Sequence, residues 1–307
     1  GEPGGASPAS QAVARAASAD PVVFLHGLLE SPAVWQPVRA KLGPIRALSP
    51  PLPGHRADAP QGGHAAALLA DDRTLVDHVA TILERRFGGR PVRLVGHSLG
   101  SYLALLLAAR RPALVRDALV VAPLHAGDCG RRQDLASWLV TQAPLIGPLS
   151  ARLLKRAWLG DRARFAAWMR PSLAPGERLP AVPEAMRAEL RGGSATTMRA
   201  VAVWARRQDG LARLGRVERP VTTVLCARDP VVMPAHQHET AYALPCAATR
   251  VLDTGHLPML SAPDALARIV STWLAEGGTA PADAASGCRD GAPEVTEADS
   301  PARAAAP

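Results

Sequence analysis

A five-residue turn, Gly96-His97-Ser98-Leu99-Gly100, separates a short apolar run from a long run of helix formers. The run before it, with Val92, Leu94 and Val95, has the length of a buried strand. The residues from Ser101 to Arg110 favour helix. A chain passing from strand to helix in so few residues turns sharply, and the residue at the apex takes a strained backbone conformation. Glycines at 96 and 100 keep a Cβ from colliding with the neighbouring strand and helix. The apex side chain, Ser98, then projects from the carboxyl edge of a sheet, above a helix N-terminus with unpaired N–H groups and a positive dipole end. That setting suits a nucleophile whose attack generates an oxyanion.

The flanking sequence supplies the sheet. Residues 21–25, 45–48, 117–122, 221–226 and 249–252 read as further strands. Helices are expected at 32–42, from Asp71 or Asp72 to about Arg86, and at 263–274. Strands alternating with helices imply a mostly parallel sheet flanked by helices on both faces, an α/β fold. From 124 to 214 the strand rhythm stops. Amphipathic helices are expected there near 131–143, 148–158, 161–170, 183–191 and 194–207. The division is therefore a mobile N-terminal segment at 1–20, a core at 21–123 and 215–276, an inserted all-helical segment at 124–214, and a disordered tail at 277–307.

Composition narrows the function class. The 307 residues carry a net charge of +8, but only Lys41 and Lys155 are lysines and the arginines are scattered. No dense basic cluster with interleaved aromatics appears, so no nucleic-acid partner is expected. No stretch reaches the roughly 18 apolar residues of a membrane span. The four cysteines, Cys129, Cys226, Cys246 and Cys288, contain no C-x-x-C pair, so neither a metal nor a redox motif is expected. The expected location is the cytoplasm, with secretion as the alternative if a signal preceded Gly1.

A serine hydroxyl needs a base to act as a nucleophile at neutral pH. His256, in Asp253-Thr254-Gly255-His256, follows the last predicted strand and is the candidate. Its other ring nitrogen needs an acid to fix the tautomer, and Asp229 follows the 221–226 strand. Asp253 and Asp128 are the alternative carboxylates. The order Ser, Asp, His is the one expected for this strand–turn–helix nucleophile. Two backbone N–H groups are expected to hold the oxyanion, those of Leu28 and Leu99. His26 is expected to brace its loop rather than serve as a second base.

These residues together resemble the α/β-hydrolase superfamily. The resemblance rests on Phe24-Leu25-His26-Gly27 with Trp35 downstream, Gly54-His55, Gly96-His97-Ser98-Leu99-Gly100, Asp229 and Gly255-His256, and covers about 21–275. It implies that the helical stretch 124–214 is a lid, and that the chain is a cofactor-free serine esterase, lipase, thioesterase or related acyl-cleaving enzyme. Epoxide hydrolases and haloalkane dehalogenases are less similar, having Asp where this chain has Ser98. Two departures stand out. Residues 1–20 are poor material for the family's opening β-hairpin, and Pro50-Pro51-Leu52-Pro53 stands where the family often has an Asp before the loop glycine.

The expected substrate is an apolar small molecule bearing an ester or thioester. Trp138, Trp168 and Trp204 of the lid and His125 after the 117–122 strand are candidate substrate contacts. The same triad would also serve C–C bond hydrolysis, or acyl transfer or cyclisation. A non-catalytic binding protein is the alternative from another class, but such a protein has no need of all three of Ser98, Asp229 and His256.

Overall fold

Buried strands in a parallel sheet are covered on both faces, so they read as continuous apolar runs. Val22–Leu25 (β1) is such a run, and all four residues are buried. The computed structural model describes residues 20–129, 141, 143, 145–179, 182–245, 247–276 and 295–297. The further strands are Ala47–Leu48 (β2), Val92–His97 (β3), Val115–Val121 (β4), Val221–Cys226 (β5) and Ala247–Leu252 (β6). Their order across the sheet is β2-β1-β3-β4-β5-β6, and every pairing is parallel. Val295–Glu297 (β7) adds a short parallel strand along β6, inside the segment expected to be a disordered tail. The expectations for residues 1–19 and for most of the first lid helix fall outside the described residues.

Alternation along each strand divides the core into two layers. Val23, Leu25 and Leu94 pack on one face with Leu83 of helix Asp72–Phe87 and with Leu103, Leu106 and Leu107 of helix Leu99–Arg110. Val22, Phe24 and Val95 pack on the other with Trp35, Met259 and Trp273. Helix Asp72–Phe87 starts where the sequence places its cap: the Asp71 carboxylate accepts the N–H of Thr74 at 2.6 Å.

The lid lies between β4 and β5 and includes helices Gly147–Trp158, Arg162–Met169, Glu184–Gly192 and Ala195–Arg206. Among the described residues it forms no separate core. Phe165, Met186, Leu190 and Met198 join one layer of the sheet's core, and Val201 and Trp204 join the other. The lid is thereby fixed over the carboxyl edge of the strands.

Two buried histidines hold the loop beneath that edge. His26 Nε2 accepts the N–H of Leu52 at 3.0 Å, and its Nδ1 donates to the carbonyl of Gly27 at 2.8 Å. His55 Nε2 accepts the N–H of Leu29 at 3.1 Å, and its Nδ1 donates to the carbonyl of Pro53 at 2.9 Å. His26 thus has the bracing geometry expected of it. Each ring uses one nitrogen as acceptor, so each must be neutral. Burial pushes His26 down to about 4 and His55 down to about 3. Unfolding restores the ordinary value of about 6.5, so the unfolded chain binds two extra protons as pH falls. The stability held by these neutral rings is complete above that value and declines below it. Between about pH 6 and 4 the unfolding free energy is expected to drop by about 2 kcal/mol per pH unit from this pair. Urea midpoints measured across that range check it, and a flat profile would show that the rings are not held neutral.

Candidate active site

The turn after β3 has the strained geometry that its sequence implies. Ser98 sits at φ 50° and ψ −119°, conformations that a residue with a Cβ adopts only under constraint. Its N–H donates to the carbonyl of Val121 at 3.0 Å, which anchors the apex to β4. The two flanking glycines are sterically required. A Cβ on Gly96 would lie 2.5 Å from the carbonyl oxygen of Gly100, and one on Gly100 would lie 2.2 Å from that of Leu25. Helix and strands therefore close on the turn from both sides.

Asp229 and His256 meet at the ends of β5 and β6. His256 Nδ1 and Asp229 Oδ2 are 2.7 Å apart, and both residues are buried. The carboxylate is saturated by its surroundings. Oδ1 accepts the N–H groups of Val231 at 2.7 Å and Val232 at 3.0 Å, and Oδ2 also accepts Gln237 Nε2 at 3.0 Å. Several N–H donors hold a carboxylate fixed in direction. The lid secures the base loop. The N–H of His256 donates to the carbonyl of Ser172 at 2.8 Å, and Glu177 accepts the N–H of Gly255 at 3.0 Å.

Leu28 and Leu99 are the two residues expected to supply oxyanion donors. Both line the cavity that also contains Ser98 and His256. Neither N–H donates to an acceptor among the described residues, so both remain available to a ligand.

That cavity is about 520 Å³ and adjoins a second lobe of about 480 Å³ toward the lid helices. Leu28, Leu29, Ala202, Val231 and the stacked indoles of Trp158 and Trp168 line both lobes, the two rings 5.1 Å apart. The walls are mainly apolar, as a hydrophobic acyl or ring group would need. Of the expected substrate contacts among the described residues, only Trp168 lines the cavity. Trp204 is turned into the core, its ring 6.3 Å from that of Tyr102, because helix Ala195–Arg206 uses that face to seat the lid. His125 lies outside the lining: its ring stacks on His236 and its Nδ1 faces Thr240 Oγ1 at 2.9 Å. Trp138 lies outside the described residues.

Two groups of side chains bring possible metal donors within 4.8 Å of one another: Glu30 with His97 and His256, and His125 with His236 and Glu239. In the first, the histidines are already committed to hydrogen bonds and ion pairs. In the second, the two imidazoles are stacked 4.0 Å apart with planes 8° apart, so their in-plane lone pairs run parallel and do not converge.

A profile described as the alpha/beta hydrolase family matches residues 22–269. The chain belongs to the alpha/beta hydrolase family. Two curated members are similar over shorter stretches. Lipase LipV of Mycobacterium tuberculosis is 30% identical over 139 residues, which is 45% of this chain and 51% of that protein. The 2-(acetamidomethylene)succinate hydrolase of Mesorhizobium japonicum is 30% identical over 102 residues, 33% of this chain and 34% of that one. The alignments thus span about half and about a third of those relatives' lengths. Among solved structures, a thermophilic esterase from Thermogutta terrifontis superimposes with a TM-score of 0.61 at 21% identity, covering 85% of this chain and 91% of its own. The α/β hydrolase fold expected from the sequence is the fold of this chain, and its relatives are esterase- and lipase-like hydrolases.

Glu30 and Gln237 are not among the residues expected from the sequence. Gln237 lies on helix Pro234–Tyr242, whose run Pro-Ala-His-Gln-His-Glu-Thr shows no apolar period. Glu30 carried a signal, since an acid three residues after Gly27 can turn back to accept its N–H, as Glu30 does at 2.7 Å.

Proposed function

We propose that this hydrolase cleaves the ester or thioester of an apolar small molecule through an acyl-enzyme on Ser98. The observation supporting this reading is the Asp229–His256 pair opening into the same cavity as Ser98, beside the unpartnered N–H groups of Leu28 and Leu99. In the proposed reaction His256 Nε2 takes the Ser98 proton as Oγ attacks the carbonyl carbon. Nδ1–H stays on Asp229, which stabilises the imidazolium. The two N–H groups receive the negative charge of the tetrahedral intermediate. His256 then gives the proton to the leaving oxygen or sulfur. Water repeats the sequence on the acyl-enzyme, releasing the acid. The name of LipV as a lipase agrees with an ester bond as the target.

Fluorophosphonate labelling of Ser98 tests the nucleophile. A panel of p-nitrophenyl esters, acyl thioesters and diketones tests the bond, and turnover of the diketones alone would overturn the assignment. The cavity adds a graded expectation. Trp168 covers apolar wall, so Trp168→Ala removes contact that longer acyl chains use and acetate does not. KM for an octanoate ester is expected to rise about tenfold, corresponding to about 1.4 kcal/mol of lost burial, with acetate little changed. Equal effects on both esters would place Trp168 outside the acyl site.

A further inference from the structure

Beside the candidate base lies a second buried acid–imidazole pair that the reaction above does not use. Glu30 follows β1, and His97 ends β3 immediately before Ser98; both are buried. Each nitrogen of the His97 ring faces an acceptor. Nε2 is 2.7 Å from the carbonyl oxygen of His256, and Nδ1 is 2.8 Å from Glu30 Oε1. A carbonyl only accepts, so Nε2 carries a proton. A carboxylate oxygen 2.8 Å from Nδ1 favours the doubly protonated, charged ring, since an opposite charge that close stabilises it. The approach to Oε1 is oblique to the ring N–H, so this contact is an ion pair more than a directed hydrogen bond. Glu30 Oε2 accepts the N–H of Gly27 at 2.7 Å, which favours the ionised carboxylate.

We propose that Glu30 and His97 stand as carboxylate and imidazolium and act as a positioning clamp that ties the oxyanion loop at Gly27 to the base loop at His256. The inference rests on the serine-hydrolase reading above. Three loops from three strands meet in this pair. Glu30 fixes Gly27, whose carbonyl side leads into the N–H of Leu28. His97 fixes the main chain of His256, with the two rings 4.6 Å apart. Displacing such groups by about 1 Å can cost about a hundredfold in rate. Removing one partner of a buried ion pair also leaves the other charge uncompensated.

The charged and titratable groups around His97 are Glu30 and His26 at the end of β1, Asp229 after β5 and His256 after β6. Burial opposes a charged His97 ring, but Glu30, the carbonyl of His256 and the charge of Asp229 together outweigh it and hold His97 above the ordinary imidazole value. The clamp is therefore intact at and below neutral pH. It fails as pH rises past that raised value, when a bare Nδ1 lone pair would face the carboxylate. A glutamine at position 30 can make the clamp without charge. Its oxygen accepts the N–H of Gly27, its amide donates to Nδ1 of neutral His97, and Nε2–H stays on His256.

The full-length protein tests this with Glu30→Ala and Glu30→Gln, thermal melts, pH–rate profiles on one ester, and ¹⁵N-histidine NMR in the Ser98→Ala background. His97 is assigned there by loss of its signals in His97→Gln. Glu30→Ala is expected to lower kcat about a hundredfold with KM within about threefold. Glu30→Gln is expected to recover about tenfold of that loss and to lack the alkaline limb of the wild-type profile. Both His97 nitrogens are expected to carry protons at neutral pH with Glu30 present, and only one with glutamine. The NMR needs no turnover, so it stands even if the serine mechanism fails. A neutral His97 ring beside Glu30, or an unchanged alkaline limb in Glu30→Gln, overturns the clamp. A folded Glu30→Ala protein with wild-type kcat does so as well. Should Glu30→Ala fail to fold, Glu30→Gln and the NMR decide alone.

Discussion

Ser98→Ala is expected to lower kcat/KM toward a good p-nitrophenyl ester by at least about four orders of magnitude, with no loss of fold. Removing the nucleophile from a cooperating triad forfeits nearly all that the triad contributes, leaving the smaller acceleration from oxyanion stabilisation and binding. The fold should survive because the side-chain oxygen has no structural duty. The contacts at the apex are made by the main chain: the N–H of Ser98 to Val121, and the carbonyl of Ser98 from Ser101 Oγ at 2.5 Å. Alanine retains both. It also retains a Cβ at φ 50°, so the strain at the apex is unchanged. Glycine at the same position would relieve that strain, and Ser98→Gly is expected to be more stable by about 1 kcal/mol while equally inactive. Stability and activity thus separate at one residue. A Ser98→Ala protein retaining more than a tenth of wild-type activity would remove Ser98 from the reaction.

The elbow was legible in the sequence because its constraints are local. Gly96, Ser98 and Gly100 are spaced by the geometry of one turn, and the strand and helix on either side have strong periodic or propensity signals. The same holds for strand 221–226, read from the sequence with the bounds that β5 has. The positions of Asp229 and His256 followed because in a parallel sheet each strand delivers its C-terminal loop to the same edge. Helix Pro234–Tyr242 escaped because its inward face is polar: Gln237 occupies a core position, with Oε1 accepting the N–H of Cys226 at 2.8 Å. The expectation for Trp204 rests on the apolar composition of the lid, and that for His125 on its place just past a strand end. Nothing in a lid helix of mixed apolar and basic residues tells which face meets the sheet and which meets substrate, since both faces are apolar. His97 belongs to the turn motif but Glu30 to none of the motifs, and their pairing spans 67 positions of sequence and is set only when β1 and β3 lie side by side.

Asp229→Asn is expected to lower kcat by about 10⁴, the scale known for the equivalent change in a serine protease. The surroundings of the carboxylate dictate how the amide must sit. Two main-chain N–H groups, from Val231 and Val232, point at Oδ1, so the amide oxygen takes that place. The NH₂ is left at the position of Oδ2, facing His256 Nδ1 at 2.7 Å and Gln237 Nε2 at 3.0 Å. It donates to Nδ1, which forces the proton of the neutral imidazole onto Nε2. That nitrogen then cannot accept the proton of Ser98. The amide also meets a second NH₂ group, because the orientation of Gln237 is fixed by the carbonyl of Val232 at 2.7 Å and the N–H of Cys226. Fluorophosphonate labelling of Ser98 should slow in parallel, since it draws on the same base. Asp253 is a poor substitute: it is exposed and paired with Arg228 at 2.5 Å. If Asp229→Asn turned over esters at close to the wild-type rate, another carboxylate would have to orient His256. Asp128, after β4, would then be the residue to replace next.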